Sequence, residues 1–287
     1  MSSSGGSSRI AVFAAVVIGV AVVISAVVLS LAYSGALGIV DSTTTRNSGP
    51  YSVGDFYAVS VKGVDNSVVV QPSDSGSVFL TTTVTAAAPF GSHPAVQIIS
   101  QAAGNSITFT VDTPTNSVRS SLSTLYLPLQ FTAQNLSISV LNGYITVNSA
   151  PIPLLNANLQ STNGNLILTT VTSVSANLTT VNGNIELAVS GGSDVTASTI
   201  NGNVYFSTSG AISSGSIRLY SDNGNIAIGI DSQSNVTVSA VTVNGFIHIS
   251  YLRFSSVTSS ATSFSGVLGS GSAELQASTT NGNVTLS

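Results

Sequence analysis

The sequence predicts an all-β chain, a parallel β-helix (solenoid) preceded by one N-terminal transmembrane helix. Three observations carry that reading. Asn-Gly pairs recur at a near-constant spacing through the second half of the chain. Apolar and polar residues alternate on both sides of every pair. An uncharged apolar run long enough to cross a bilayer lies close to the N-terminus.

Residues 1–9 are small and polar with one charge, Arg9, and read as a cytoplasmic tail. From Ile10 to Tyr33 no charge interrupts the apolar run, and a membrane-spanning helix needs about 20 such residues. Residues 10–34 are therefore assigned as a transmembrane helix or signal anchor. Cleavage near Ser34, Gly35 and Ala36 is an open alternative, because small residues suit a signal peptidase. Pilin-like processing beside Arg9 is a second. Arg9 favours a cytoplasmic N-terminus and an outside body, although Arg46 on the other flank narrows that preference. Residues 35–54 carry Thr43, Thr44, Thr45, Asn47, Gly49 and Pro50 with no sustained apolar period, and read as a linker.

The repeat occupies residues 136–287. Its Asn-Gly pairs are Asn142-Gly143, Asn163-Gly164, Asn182-Gly183, Asn201-Gly202, Asn223-Gly224, Asn244-Gly245 and Asn281-Gly282. The first six are spaced 21, 19, 19, 22 and 21 residues apart; Ser265-Gly266 divides the last gap of 37, so eight turns are expected. Three and five residues after each Asn the sequence places Ile145 and Val147, Leu166 and Leu168, Ile185 and Leu187, Val204 and Phe206, Ile226 and Ile228, Ile247 and Ile249, Val284 and Leu286. Six and four residues before each Asn stand Leu136 and Ile138, Ala157 and Leu159, Ala176 and Leu178, Val195 and Ala197, Ile217 and Leu219, Val238 and Ala240, Leu275 and Ala277.

Period-two alternation of this kind marks strands with one buried face. Asn-Gly supplies the corner between them, since Gly accepts positive φ freely and Asn tolerates it. A parallel stack buries the same positions on every turn, which the constancy of the flanks requires; an antiparallel meander remains open. The eight prolines all lie at or before Pro153, and proline cannot donate to an interior ladder. In the stack each Asn sits over the next, so that side-chain amides form a ladder.

Residues 55–135 lack the Asn-Gly signature but keep strand alternation, as at 57–61, 67–71, 77–84 and 106–111. They read as the first coils and an N-terminal cap, interrupted by irregular stretches at 86–94 and 113–123. After Leu286 no polar capping segment follows, so an exposed last turn is expected.

On these residues the chain resembles the putative-adhesin family of secreted bacterial and archaeal β-helix proteins, a domain of unknown function. The likeness covers roughly Phe56 to Ser287. It rests on FYAVSVKGVDNSVVV, on LYLPLQFTAQNLSISVLNGYITV, and on the repeats STNGNLIL, TVNGNIEL and TINGNVYF. The resemblance implies a right-handed β-helix and a cell-surface setting. It brings no catalytic residues. The scarcity of charge and the degenerate turn around Ser265 depart from the family pattern, and they leave the register of residues 250–273 open.

Composition narrows the chemistry. Only 6% of residues are charged and the net charge is −4, which argues against a nucleic-acid partner. With no Cys, disulfides and thiolate metal ligands are excluded. The repeat holds Glu186, Asp194, Asp222, Asp231, Glu274, Arg218, Arg253 and His248. Glu186 and His248 share one repeat position three turns apart, roughly 14 Å at strand spacing, too far for a proton relay. His93 and His248 are isolated, no acidic cluster resembles a calcium loop, and Gly191-Gly192 precedes no helix. No catalytic, cofactor-binding or metal-ligating residue is assigned. Asn135, Asn177, Asn235 and Asn283 head glycosylation sequons.

The expected function is a membrane-anchored, non-catalytic structural or adhesive module with its β-helix outside the cell. Its expected partners are the membrane, through the N-terminal helix, and glycans or other surface proteins. The alternative is a filament or surface-assembly subunit that self-associates through the exposed C-terminal coil. A carbohydrate-active enzyme is the weaker alternative.

Overall fold

The computed structural model describes residues 39–52, 58–89, 93–113, 118–129, 133–148, 154–169 and 174–287. The apolar segment assigned to the membrane lies outside them. Every regular element among the described residues is a strand, and none is a helix long and apolar enough to cross a membrane. In chain order the first are β1 (Ile39–Ser52), β2 (Ala58–Asp65), β3 (Ser67–Ser73), β4 (Ser77–Pro89), β5 (Gln97–Ala103), β6 (Ser106–Asp112) and β7 (Val118–Pro128). Five strand pairs follow: β8 (Ala133–Asn142) with β9 (Ile145–Asn148), β10 (Leu154–Asn163) with β11 (Leu166–Thr169), β12 (Ser175–Asn182) with β13 (Ile185–Val189), β14 (Asp194–Asn201) with β15 (Val204–Thr208), and β16 (Ser216–Asn223) with β17 (Ile226–Gly229). The chain ends in β18 (Val236–Asn244), β19 (Ile247–Ile249), β20 (Ser255–Ser259), β21 (Ser263–Leu268), β22 (Ala273–Asn281) and β23 (Val284–Leu286).

Each Asn-Gly joins a longer strand of a 12-stranded sheet to a shorter strand of an 11-stranded sheet, giving a solenoid-like stack of coils. From β8 to β16, and from β9 to β17, the pairing is parallel and in register, with Asn163 aligned on both Asn142 and Asn182. A parallel stack repeats one register because a one-residue slip would turn every buried side chain outward. The antiparallel meander does not occur in these coils.

The core follows the alternation. All fourteen apolar positions before the Asn residues are buried, as are twelve of the fourteen after them; Ile247 and Ile249 are half-buried because they belong to the outermost coil. At roughly 1.5–3 kcal/mol per buried Val, Leu or Ile side chain, this double row is the main favourable term in folding.

The two ends depart from the sequence reading. Residues 39–52 are not a linker: they form β1, antiparallel to β4 at the edge of the 11-stranded sheet. Hydroxyl pairs take the place of apolar alternation there, Thr43 with Thr85 at 3.0 Å and Thr45 with Thr83 at 3.1 Å. Residues 86–89 and 118–123, expected to be irregular, belong to β4 and β7, which pair antiparallel. At this end β2 and β3 lie against β8 and β9, β6 lies outside β2, and antiparallel β5 closes the 12-stranded sheet. Asp65-Asn66 is the corner of this first coil, with Asp65 aligned on Asn142.

At the far end the coils do not stack in chain order. β22 and β23 lie between β16–β17 and β18–β19, so Asn281 sits between Asn223 and Asn244. Ser265-Gly266 is not a corner. Both residues lie inside β21, which runs antiparallel to β18 and carries β20 beyond it. The Asn-Gly coils therefore number seven, not eight. The last turn is not exposed either, since Leu286 is fully buried between neighbouring coils. The physical reason is the sheet edge: an antiparallel pair covers the outer edge of β18, and the returning chain fills the slot left inside it. The premise for self-association through an exposed final coil is thereby removed.

Candidate functional site

The corner of the stack is a spine of three hydrogen-bonded ladders. In the first, each Asn donates its Nδ2 to Oδ1 of the Asn one coil nearer the N-terminal end. The run is Asn244 to Asn281, Asn281 to Asn223, Asn223 to Asn201, Asn201 to Asn182, Asn182 to Asn163 and Asn163 to Asn142, at 2.7–3.0 Å. It ends on a carboxylate, where Asn142 donates to Asp65 at 2.6 Å.

The second ladder uses the hydroxyl two residues before each Asn. Ser161, Thr180, Thr199, Ser221, Thr279 and Thr242 each donate to the carbonyl of the adjacent coil's corner glycine, at 2.7–3.0 Å. All six are buried, so the bond satisfies groups that water does not reach. The third uses the Asn two residues after the corner Asn. The Oδ1 atoms of Asn165, Asn184, Asn203, Asn225 and Asn283 accept backbone N–H groups of Asn184, Asn203, Asn225, Asn283 and Phe246 at 2.8–3.0 Å. Sequence reasoning found the first ladder and missed the other two. Their signal was present as the extended pattern Ser/Thr-x-Asn-Gly-Asn in the repeats ending at Asn165, Asn184, Asn203, Asn225 and Asn283.

The corner glycines are needed for space more than for backbone conformation. Of the seven, only Gly143 has a left-handed φ, at 151°. At Gly164, Gly183, Gly202, Gly224, Gly245 and Gly282 an added Cβ would meet the carbonyl oxygen of the adjacent corner glycine at 1.9–2.1 Å.

The spine is a scaffold, and it sets two outward faces. On the 12-stranded sheet the residues between the buried ones form rows across the coils. One row runs Ser137, Asn158, Asn177, Thr196, Arg218, Gln276 and Ser239; a second runs Ser139, Gln160, Thr179, Ser198, Tyr220, Ser278 and Val241. A shallow groove of about 410 Å³ crosses them, lined by Thr196, Arg218, Tyr220, Ser239, Gln276 and Ser278 among others. Tyr220 is 42% exposed, and Arg218 has no ion pair among the described residues. The groove thus brings together the Tyr220 ring, the Arg218 guanidinium, the Gln276 amide and several hydroxyls, with Leu219, Val241 and Ala277 also in its lining.

The remaining charges do not converge. Glu186 lies on β13 between Ile167 and Tyr205, and His248 on β19 beside Thr285. Insertion of β23 widens their separation from three strands to four, about 19 Å at ~4.8 Å per strand. Asp194 and Asp231 accept backbone N–H groups of Ser216 and Gln233, at 2.9 and 2.8 Å. Glu274 accepts from Gln276 at 2.7 Å. Asp222 is half-buried beside its corner, and Arg218 and Arg253 are exposed. His93 Nδ1 and Ser42 Oγ are 2.9 Å apart. Among the described residues no three of His, Cys, Asp and Glu come together as a metal site. Of the sequon residues, Asn135 and Asn177 are exposed. Asn235 and Asn283 are half-buried and use Oδ1 to accept backbone N–H groups of Ser270 and Phe246.

Among solved structures, the chain is similar to a "putative adhesin" from Bacteroides fragilis at 14% identity and a TM-score of 0.41, covering 86% of this chain and 97% of that one. It is also similar to a "putative adhesin" from Parabacteroides distasonis at 15% identity and a TM-score of 0.39, with the same two shares covered. A "putative cell adhesion protein" from Clostridium sporogenes matches at 8% identity and a TM-score of 0.35, over 86% of this chain and 99% of that one. No curated protein matches the chain. The family model described as Toastrack DUF4097 matches residues 52–287, most of the sequence and nearly all of the β-stack. The chain belongs to the Toastrack DUF4097 family.

Proposed function

We propose that this protein is a non-catalytic, surface-displayed module that adheres to glycans through the outward face of its 12-stranded sheet. The observation that carries this reading is the set of hydroxyl and amide rows, crossed by the groove at Arg218, Tyr220 and Gln276. Sugars are recognised by directed hydrogen bonds together with an aromatic ring that covers an apolar sugar face, and the groove offers both. Rows repeated from coil to coil favour many weak contacts that add by avidity.

The setting we propose is a single-pass membrane protein with the stack outside the cell. Support comes from the uncharged run 10–34 and from β1, which starts at Ile39 on the outermost strand of its sheet. The anchor would then hold one end of the stack near the bilayer. The opposite edge of the 11-stranded sheet would stand about 48 Å away, at ~4.8 Å for each of ten strand steps. On such a display Asn177 and Asn135 are the sequon residues exposed for glycosylation.

The test is binding of the full-length chain, reconstituted in vesicles, to immobilised polysaccharides. Tyr220→Ala should weaken binding roughly tenfold, which corresponds to about 1.4 kcal/mol. Retention on no polysaccharide, or equal retention of parent and variant, contradicts the glycan reading.

A further inference from the structure

We propose that Asn244 is a selective site of self-modification: it cyclises with Gly245 and hydrolyses to aspartate and isoaspartate, while the six other Asn-Gly pairs persist.

Asn-Gly is chemically the most vulnerable of asparagine dipeptides, because glycine has no side chain to shield its backbone nitrogen. That nitrogen must lose its proton and reach the side-chain carbonyl of the preceding Asn. In six coils the stack blocks this step. The N–H groups of Gly143, Gly164, Gly183, Gly202, Gly224 and Gly282 each donate to the carbonyl of the next coil's Asn at 3.0–3.1 Å. Gly245 belongs to the outermost coil, with no further Asn carbonyl to receive it. Its N–H has no partner among the described residues. Three amides around it are engaged: Thr242 N with Thr262 O, Phe246 N with Asn283 Oδ1, and Ile247 N with Ala261 O. Asn244 and Gly245 are also exposed, so water reaches the imide. The Asn244 side chain donates to Asn281 as the other ladder members donate to theirs. The distinguishing feature is therefore the free glycine N–H and not the side-chain bond.

The step balances without an oxidant or cofactor. A bond forms between Gly245 N and Asn244 Cγ, and the Cγ–Nδ2 bond breaks. Nδ2 leaves as ammonia, taking the proton from Gly245 N. Water then adds to the five-membered imide. Cutting the bond between Gly245 N and Asn244 Cγ leaves an aspartyl link, cutting the bond between Gly245 N and the Asn244 backbone carbonyl carbon leaves an isoaspartyl link, and either product carries a new negative charge.

The polarity of the ladder makes this product disruptive. Asn244 supplies the donor to Asn281 Oδ1, and a carboxylate has none to give. At the opposite end an acid already fits, because Asp65 only accepts. Conversion at Asn244 would place acceptor against acceptor and loosen the coil that carries Phe246.

The full-length wild-type chain, folded in detergent and held in mildly alkaline buffer, is digested at intervals and mapped by fragmentation mass spectrometry. The expected result is gain of one mass unit at Asn244 at least tenfold faster than at any other Asn-Gly pair. In denaturant, conversion should spread to all seven. Conversion spread evenly over the pairs in the folded chain, or absent from Asn244, overturns the proposal.

Discussion

Asn142 Nδ2 donates to Asp65 Oδ1 at 2.6 Å, so a run of side-chain amides drawn from seven coils ends on a carboxylate. The run has one direction: every member gives its N–H toward Asp65. Each bond polarises the next in the same sense, and a charge-assisted acceptor at the terminus is the strongest partner available. Asp65→Asn should lose the charge assistance but keep an acceptor, and so cost less than removal of the side chain. Asp65→Ala should cost about 0.5–1.5 kcal/mol, the usual net value of one hydrogen bond. Asn142→Asp should cost more than either, since two carboxylates would then face each other. Urea denaturation of the three variants checks the order.

Glycine at the corner is a matter of clearance. A Cβ on Gly183 would lie 2.1 Å from the carbonyl oxygen of Gly164, which is backbone and cannot rotate away. Gly183→Ala should destabilise by about 3 kcal/mol or abolish folding. Gly76, where a Cβ meets nothing within 4 Å, is the control, and Gly76→Ala should be neutral or stabilising by about 0.5 kcal/mol. Thermal melts of both variants test the contrast.

The hydroxyl ladder predicts a chemical distinction between isosteres. Thr199 is fully buried and donates to Gly183 O at 2.9 Å. Thr199→Val keeps the shape and strands the carbonyl, at a cost of about 1–3 kcal/mol. Thr199→Ser keeps the bond and should lose less. Denaturation midpoints that rank Val above Ser would contradict the role given to the hydroxyl.

Inward and outward positions of one coil should differ sharply. Leu178 is fully buried, and Leu178→Ala should cost about 2–5 kcal/mol through lost contacts and a cavity. Glu186 is exposed between Ile167 and Tyr205 with no ion pair among the described residues. Glu186→Gln should leave the denaturation midpoint within error, and it should not change binding at the Tyr220 groove, which lies on the other sheet.

Much of this architecture was legible because the repeat constrains side chains by face. Leu136, Leu178 and Phe206 were marked for the core by alternation alone, and they are buried. Coil order was not legible. Asn281, Val284 and Leu286 present the same pattern as every other repeat, so their sequence fits any slot in the stack, and sequence adjacency gave the wrong one. β1 was hidden for the opposite reason. Its Thr43 and Thr45 pair with Thr85 and Thr83 across strands, so it needs no apolar alternation to be a strand. The groove was invisible as well, because Gln276 is brought beside Arg218 and Tyr220 only by the out-of-order insertion of β22 beside β16.

That insertion is also where the account is most exposed to direct test. Isotope-labelled protein should show inter-strand nuclear Overhauser contacts from residues 217–223 to 275–281, and from 275–281 to 238–244, as the parallel registers require. Direct contacts between residues 217–223 and 238–244, with 275–281 outside them, would contradict the stack described and the groove built on it.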